Sequence, residues 1–543
     1  MKTLLVGINS KYIHPNIAIR LLKGVALQAI PDVDIAIKEW TIKDSASTIV
    51  EEILNFNVDL IGFSCYIWNI ELIKEILLAL KMNRFLGKIL LGGPEVSYEY
   101  QDFFSLYGVD YIIRNEGELA FTGLLKALIQ EHEPLGVPNL VTSQFENQLE
   151  LITSLDELPF PYDGLDYKHQ IMYLEASRGC PYHCSYCMAS LEKKVRTFSL
   201  DRIKDTILRL LRAGAKTFKF LDRTFNIDPK RAMELFRFIN EQAPDHASFQ
   251  FEISGDLFTS KMIDYLIHDV RPRLFRFEIG IQSTNPTTNR AIGRHQNTTL
   301  LFQNIQKLQQ GGKIGIHLDL IAGLPFEDLS SFKNTLNEAI QLRPLELQLG
   351  FLKFLKGTRI MQEASLYDYQ WHKSAPYEII TNHILNEHDI AIIHTVENAL
   401  DKFYNTPFFK YTIHYILDLV PNAFDFFFEL GQYYEARYSW IGYNLDELFI
   451  RFDEFIMTQI SIPHPTFLYL MKKDYLLHFS VKPKIWWPRP GHERYHQKVR
   501  KILSTQTLPV LLDDVFRYGV LETEGDHGFM VLYMPDGQRF LEW

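Results

Sequence analysis

The sequence predicts an α/β protein in three parts: an N-terminal doubly wound parallel-sheet domain, a partial (β/α)6 barrel, and a mostly helical C-terminal domain. Three observations carry this expectation. Short apolar runs alternate with amphipathic stretches of helical length over the first part of the chain, the pattern of βαβ units and a parallel sheet. The alternation is lost where Pro134, Pro138, Pro159, Pro161 and Gly164 punctuate a polar stretch, and resumes beyond it as six strand–helix units. Beyond these, Phe, Tyr and Trp become dense (FDFFFEL, GQYYEARYSW, KIWWPRP) and helical periodicity dominates. The expected boundaries are 1–135, a linker over 136–170, 171–375, and 376–543.

In order along the chain, TLLVG (3–7) reads as a buried strand, 17–30 as a helix and 34–40 as a second strand. Residues 47–56 read as a helix, LIGFS (60–64) as a strand, 70–82 as a helix and KILLG (88–92) as a strand. A short strand at 111–114 and a helix over 118–130 complete the first domain. Small residues follow its strands (Gly7, Ser64, Gly92-Gly93-Pro94), where a ligand of an open parallel sheet needs close approach to backbone. Barrel strands are expected at 173–176, 218–221, 249–253, 274–281, 315–321 and 347–354, with helices between them, and any catalytic groups at their C-terminal ends. Residues 401–455 read mainly helical, and 512–543 as short strands about the turn Pro535-Asp-Gly.

Composition narrows the function classes. Among 543 residues, 47% are apolar and 22% charged, which excludes wholesale disorder. The balance of 56 Lys and Arg against 66 Asp and Glu, net −10, argues against a general nucleic-acid binder. Only 4 cysteines are present, too few for a disulfide-dense secreted scaffold. Neither a signal peptide nor a membrane-spanning run is apparent, so a reducing cytoplasmic setting is expected.

Three of the four cysteines fall in RGCPYHCSYCMA (178–189), as Cys180-x3-Cys184-x2-Cys187. Three thiolates on one loop leave a metal corner vacant, which in an iron–sulfur cluster lets the unique iron bind a substrate or cofactor. A structural zinc loop with His183 as fourth ligand is the competing reading, and predicts zinc rather than iron. Cys65, at a strand end far upstream, reads as a small buried hydrophobe.

This C-x3-C-x2-C run, with an aromatic before its last cysteine and directly after the first strand of a β/α domain, resembles the radical S-adenosylmethionine (SAM) superfamily over roughly 171–375. The resemblance implies that Cys180, Cys184 and Cys187 hold a [4Fe-4S] cluster whose open iron binds SAM, and that Tyr186 takes the position whose backbone lies near the adenine. An electron from the cluster, delivered by a donor such as flavodoxin or ferredoxin, would split SAM to a deoxyadenosyl radical. Where the family usually has a Gly-Gly-Glu-like run after its second strand, this chain has FLDRTFN (220–226), making Asp222, Arg223 and Asn226 the candidates. FEISGD (251–256) offers Glu252 and Ser254 toward the SAM ribose or carboxylate, and RFEIGIQSTN (276–285) offers Glu278, Gln282 and Ser283. HLDLIAGLP (317–325) resembles the glycine-containing fifth-strand motif that approaches adenine, through Gly323.

The N-terminal order GFSCYIWN (62–69), GGPEVS (92–97), DYIIRNEGE (110–118) resembles the cobalamin-binding domain that precedes many radical SAM domains, over roughly 1–135. It implies Ser64, Gly92, Gly93, Pro94, Glu116 and Gly117 near the corrinoid. Histidine-ligating corrinoid domains use D-x-H-x-x-G after the first strand; here the loop has Tyr12, His14 and Ile17, so the histidine stands without the carboxylate that normally orients it. His14 is a candidate lower-face ligand or neighbour.

The expected activity is therefore radical chemistry with SAM and cobalamin on a small-molecule substrate, with methyl transfer to an unactivated carbon preferred. Cobalamin-dependent rearrangement or cyclisation without methyl transfer is an alternative. An RNA-modifying enzyme, suggested by the basic run HERYHQKVRK (492–501), is another. In the C-terminal region Tyr433, Tyr434, Trp440, Trp486 and Trp487 read as packing residues, with a substrate channel as the competing reading.

Overall fold

A computed structural model describes residues 1–488, 492–505 and 512–543. The chain forms two compact units, Met1–Ser331 with Gly350–Glu387, and Phe332–Leu349 with His388–Trp543.

The first unit opens with β1 (Lys2–Asn9), β2 (Asp34–Thr41), β3 (Leu60–Ser64), β4 (Lys88–Gly92), β5 (Tyr111–Ile113) and β6 (Leu140–Val141), ordered β2-β1-β3-β4-β5-β6. All neighbours run parallel except β5 and β6. Side chains alternate across β1: Leu4, Val6 and Ile8 pack with Ile49, Ile53, Ile73 and Ile76 on one face, while Leu5 packs with Ile19, Phe121 and Leu124 on the other. Helices Ala46–Phe56 and Ile70–Met82 thus cover one face and Ile17–Ala29 and Glu118–Ile129 the other, so the strands are buried on both sides, as their near-continuous apolar runs require. The strand order reverses between β1 and β3, which places the ligand crevice of a doubly wound sheet at their C-terminal ends. The short strand β6 lies within the stretch read as linker; two residues are too few to show a period.

The chain continues through β7 (Met172–Leu174), the small antiparallel pair β8 (Ser177–Arg178) and β9 (Arg196–Thr197), then β10 (Thr217–Phe220), β11 (Ser248–Glu252), β12 (Phe275–Gln282), β13 (Gly315–Ala322) and β14 (Glu346–Phe351). The larger sheet has the sequential order β14-β13-β12-β11-β10-β7 of a partial barrel. Strict alternation builds this sheet. Phe218, Phe220, Phe249, Phe251, Phe275 and Phe277 are buried, while Lys219, Gln250, Glu252, Arg276 and Glu278 between them face the other way and line the lumen. Helices Leu200–Arg212, Pro229–Gln242, Ser260–His268 and Thr298–Gly311 each begin at a Ser, Asp, Thr or Asn side-chain cap. A final antiparallel pair, β15 (Gln370–Trp371) and β16 (Ile379–Thr381), closes the unit.

The second unit is mainly helical and ends in an antiparallel sheet of β17 (Gly519–Glu524), β18 (His527–Met534) and β19 (Gly537–Glu542), with Pro535 and Asp536 in the last turn. Its aromatics pack inward: Tyr434 stacks on Trp440 at 4.5 Å, and Trp487 is buried with its Nε1 donating to Glu522. The basic run at 492–501 begins helix His492–Thr505; its side chains at 492, 495 and 498 lie outside the described residues, as do 489–491 and 506–511. Among the described residues no helix is long and apolar enough to cross a membrane.

Candidate functional site

The cysteine loop leaves the C-terminal end of β7 and is framed at its base by the β8–β9 pair. All three thiols are free; Cys180 and Cys184 are buried and Cys187 half-buried. Gly179, immediately before Cys180, has φ +89°, and a Cβ there would meet the Lys194 carbonyl oxygen at 2.4 Å, so only glycine lets the two arms of the loop close. The loop is fastened by Cys180 N–H to the Glu192 carbonyl (3.0 Å), Ser185 N–H to Ile292 (2.8 Å) and Ile360 N–H to Ser185 (2.9 Å). Thr224 Oγ1 lies 4.0 Å from the Cys180 sulfur and Arg294 Nη1 4.0 Å from the Cys184 sulfur. Burial pushes the Cys187 thiol up, opposed by the Ala189 N–H and the nearby Arg223 guanidinium.

Three free thiols on one loop are a donor set that fits an iron–sulfur cluster, which takes one thiolate at each of three separate irons. At the same barrel mouth Gln282 has φ +67° at a bulge in the β12–β13 pairing, and its buried Oε1 has no partner among the described residues. Such an acceptor can take a hydrogen bond from water or from a bound molecule.

The remaining residues singled out from the sequence are placed as follows. Asp222 is buried, accepts the Ala176 N–H (2.8 Å) and the Ser177 hydroxyl (2.5 Å), and is pushed up to about 7 by burial. Asn226 brackets the Ser254 backbone with two 2.9 Å bonds, and Ser254 Oγ donates to Asp256. The side chains of Asp222 and Asn226 therefore brace the loops around the mouth. Ser283 Oγ is engaged by Glu327 (2.5 Å), and Gly323, at φ +92°, makes room for the Ile379 side chain. Arg223 pairs with Glu252 at 3.5 Å, and burial holds the Glu252 carboxyl above its usual range. Glu278 is burdened by burial but held below the usual range by Lys219 (2.9 Å) and Gln250 (2.7 Å). Tyr186 accepts from Arg294 at 3.3 Å.

In the N-terminal domain, Asn16 caps helix Ile17–Ala29 and donates to Ser64 Oγ (2.6 Å), tying the ends of the first and third strands together at the crevice. Gly93 has φ +111° and its Cβ would meet the Cys65 carbonyl oxygen at 2.5 Å, whereas a Cβ on Gly92 would meet only the Ile113 carbonyl, at 3.8 Å. The floor above Gly92 is bare backbone, which suits a large flat ligand. Pro94 opens the short turn Pro94–Val96, and Cys65 is fully buried in the apolar cluster beside it. His14 lies beyond the first strand, its Nδ1 sharing a 2.6 Å hydrogen bond with the Tyr173 hydroxyl of β7. Burial, then Lys11 and Lys219, hold the imidazole below its usual pKa and therefore neutral at pH 7. Tyr12 bonds Asp166 in the linker (3.2 Å). Gly117 precedes helix Glu118–Ile129, and both Glu116 oxygens are held by Arg178 and Arg196 from the two ends of the cysteine loop.

The two loop glycines give a reciprocal expectation. Gly179→Ala adds a left-handed strain of about 1–2 kcal/mol and a backbone collision, and is expected to abolish iron loading while leaving cobalamin uptake near wild type. Gly93→Ala is expected to do the reverse. Iron analysis and the corrinoid absorbance of one anaerobic preparation read both.

Residues 3–125 match the family model of the B12 binding domain, 174–339 that of the radical SAM superfamily, and 365–518 that of a protein family of unknown function, DUF4080. An uncharacterized methyltransferase of Pyrococcus horikoshii is 27% identical over 342 residues, 59% of this chain and 72% of that protein. The cobalamin-dependent radical SAM methyltransferase TokK of Streptomyces tokunonensis is 27% identical over 330 residues, 55% of this chain and 46% of that protein. The fold is similar to that of the cobalamin-dependent S-adenosylmethionine radical enzyme OxsB, with TM-score 0.60 at 16% identity over 93% of this chain and 80% of that one. The loop of free thiols at the barrel mouth and the matches of 3–125 and 174–339 make the chain a radical SAM enzyme with a B12-binding domain, the pairing of domains that implies a [4Fe-4S] cluster, SAM and cobalamin.

Proposed function

We propose that the protein methylates an unactivated carbon of a small molecule. The observation that carries this is one compact unit holding both a three-thiol loop at a barrel mouth and a crevice of corrinoid-binding type, in a chain whose curated relatives include methyltransferases matched over more than half of its length. When bound, the cluster with SAM supplies one-electron chemistry and the corrinoid a transferable methyl group; the protein positions them and excludes competing reactions.

The chain's own residues divide that work. Cys180, Cys184 and Cys187 hold the cluster, and Gly179 lets their loop close. The unpartnered Gln282 Oε1 and the Arg223–Glu252 pair address SAM. The lumen beyond is polar: Tyr173, Lys219, Gln250 and Arg276 are register neighbours in one layer, and Glu252, Glu278 and His317 in the next. A lumen of this kind suits a polar substrate with hydrogen-bonding groups. The donor electron comes from a small redox protein of flavodoxin or ferredoxin type. Ser64, Gly92, Gly93 and Pro94 form the corrinoid floor, with His14 at its edge.

His14 lacks the carboxylate partner of a D-x-H-x-x-G loop, and Tyr173 supplies the missing hydrogen bond from the barrel. In the tautomer whose Nδ1–H donates to the Tyr173 oxygen, the neutral ring presents Nε2 for ligation. His14→Ala is expected to change the corrinoid absorption and remove nitrogen hyperfine structure from its paramagnetic resonance spectrum; identical spectra in the two proteins contradict ligation.

Methyl transfer itself is tested by incubating the reconstituted enzyme with methyl-labelled SAM and a panel of small molecules. Label in a product supports the proposal. Turnover of SAM to a rearranged, unlabelled product contradicts it.

A further inference from the structure

Two arginines bracket the cysteine loop, Arg178 two residues before Cys180 and Arg196 beyond Cys187, paired through β8 and β9. Both reach the same carboxylate in the other cofactor domain. Arg178 Nη1 donates to Glu116 Oε1 at 2.9 Å, and Arg196 donates through both Nη atoms, one to each Glu116 oxygen, at 2.9 Å. Glu116 Oε2 also accepts the Ile152 N–H at 2.7 Å, and Arg196 Nη1 donates to the Ile152 carbonyl at 2.5 Å. Arg178 Nη2 further bonds Glu118 (2.7 Å) and Glu175 (3.0 Å). The group is withdrawn from water: side-chain exposure is 10% for Glu116, 7% for Glu118, 12% for Arg178 and 5% for Arg196. A surface salt bridge holds little, but a bidentate fork in a buried network has one geometry, and removing one charge leaves the others uncompensated.

We propose that Glu116 is a positioning residue that registers the cysteine loop against the corrinoid-binding domain. One carboxylate, through the arginines at the two ends of the loop, sets the separation and orientation of the two cofactors. Glu116 thus acts on the cluster side of the molecule, although it sits in the RNEGE run of the N-terminal domain. The inference rests on the cofactor assignment above only for what the loop carries; the clamp itself is a property of the chain.

The test uses anaerobically reconstituted full-length protein, as wild type, Glu116→Gln and Arg196→Lys. Gln keeps the shape and removes the charge; Lys keeps the charge and removes the fork. Two quantities are read: amide hydrogen exchange across 178–196, and the pulsed resonance distance between the reduced cluster and the paramagnetic corrinoid. Both variants are expected to hold wild-type iron and cobalamin, to exchange more than about tenfold faster in that segment while β1 and β3 stay at wild-type rates, and to show a broadened distance distribution. Unchanged exchange and an unchanged distribution in either folded variant overturn the proposal. Faster exchange over the whole first unit also overturns it, because the network is then general stabilisation. Wild-type protein that takes up neither cofactor overturns the cofactor assignment instead, and the exchange arm still decides the clamp.

Discussion

Cys184→Ala is expected to lose the cluster and to reduce formation of 5′-deoxyadenosine from SAM to background. The same result is expected for Cys180→Ala and Cys187→Ala, because in the proposed site each thiolate serves one iron and the loop offers no fourth cysteine. Removing one ligand is far costlier than removing a residue that only orients it, a change that typically costs about 10–100-fold. Iron per chain and deoxyadenosine in the same sample measure the effect. Cys65→Ala is the control. Cys65 is fully buried in the apolar cluster of the first sheet, so its loss trims a small core side chain and leaves iron content at the wild-type value.

Phe251→Ala is expected to destabilise the first unit by about 3–5 kcal/mol. Phe251 stands at the centre of the phenylalanine layer behind the barrel. Its ring centroid lies 4.5 Å from that of Phe225, 4.9 Å from Phe220, 5.2 Å from Phe236 and 5.6 Å from Phe275. Truncation leaves a cavity whose walls are strands β10 to β12 and helix Pro229–Gln242, none of which can collapse without shifting lumen residues. Phe251→Leu refills part of the volume and is expected to cost less than about 1.5 kcal/mol. Urea unfolding followed by near-ultraviolet absorption of the aromatic residues compares the two variants. A small effect of Phe251→Ala would show that the layer repacks and that the lumen tolerates it.

The fold was legible because its two periods are strong. Six strand–helix units over 171–375 marked the partial barrel and the apolar runs LLVGI and LIGFS the doubly wound sheet, and in the structure Phe alternates with Lys, Gln, Glu and Arg along the barrel strands. The cysteine loop was legible because three identical thiols at short spacing carry their own chemistry. What the sequence could not show is where long side chains go. Asp222 and Asn226 were expected toward SAM, yet their acceptors and donors are taken up by Ala176, Ser177 and Ser254, backbone and hydroxyl groups that become neighbours only when the barrel closes. Glu116 was expected beside the corrinoid, but Arg178 and Arg196 lie 62 and 80 residues away along the chain. Arg294, which reaches both Cys184 and Tyr186, has no local pattern at all, since its position is set by the turn after Pro286–Ala291. Tyr173 gave no sign of its bond to His14, because a tyrosine in a strand reads as core.

One measurement tests the central claim most directly: iron, acid-labile sulfide and cobalamin per chain in a single anaerobically reconstituted sample of the full-length protein. A three-thiol loop holding a [4Fe-4S] cluster, beside a corrinoid crevice, predicts about four iron, about four sulfide and about one cobalamin per chain. Stoichiometric zinc without sulfide, or a cluster-bearing protein that takes up no cobalamin, would contradict it.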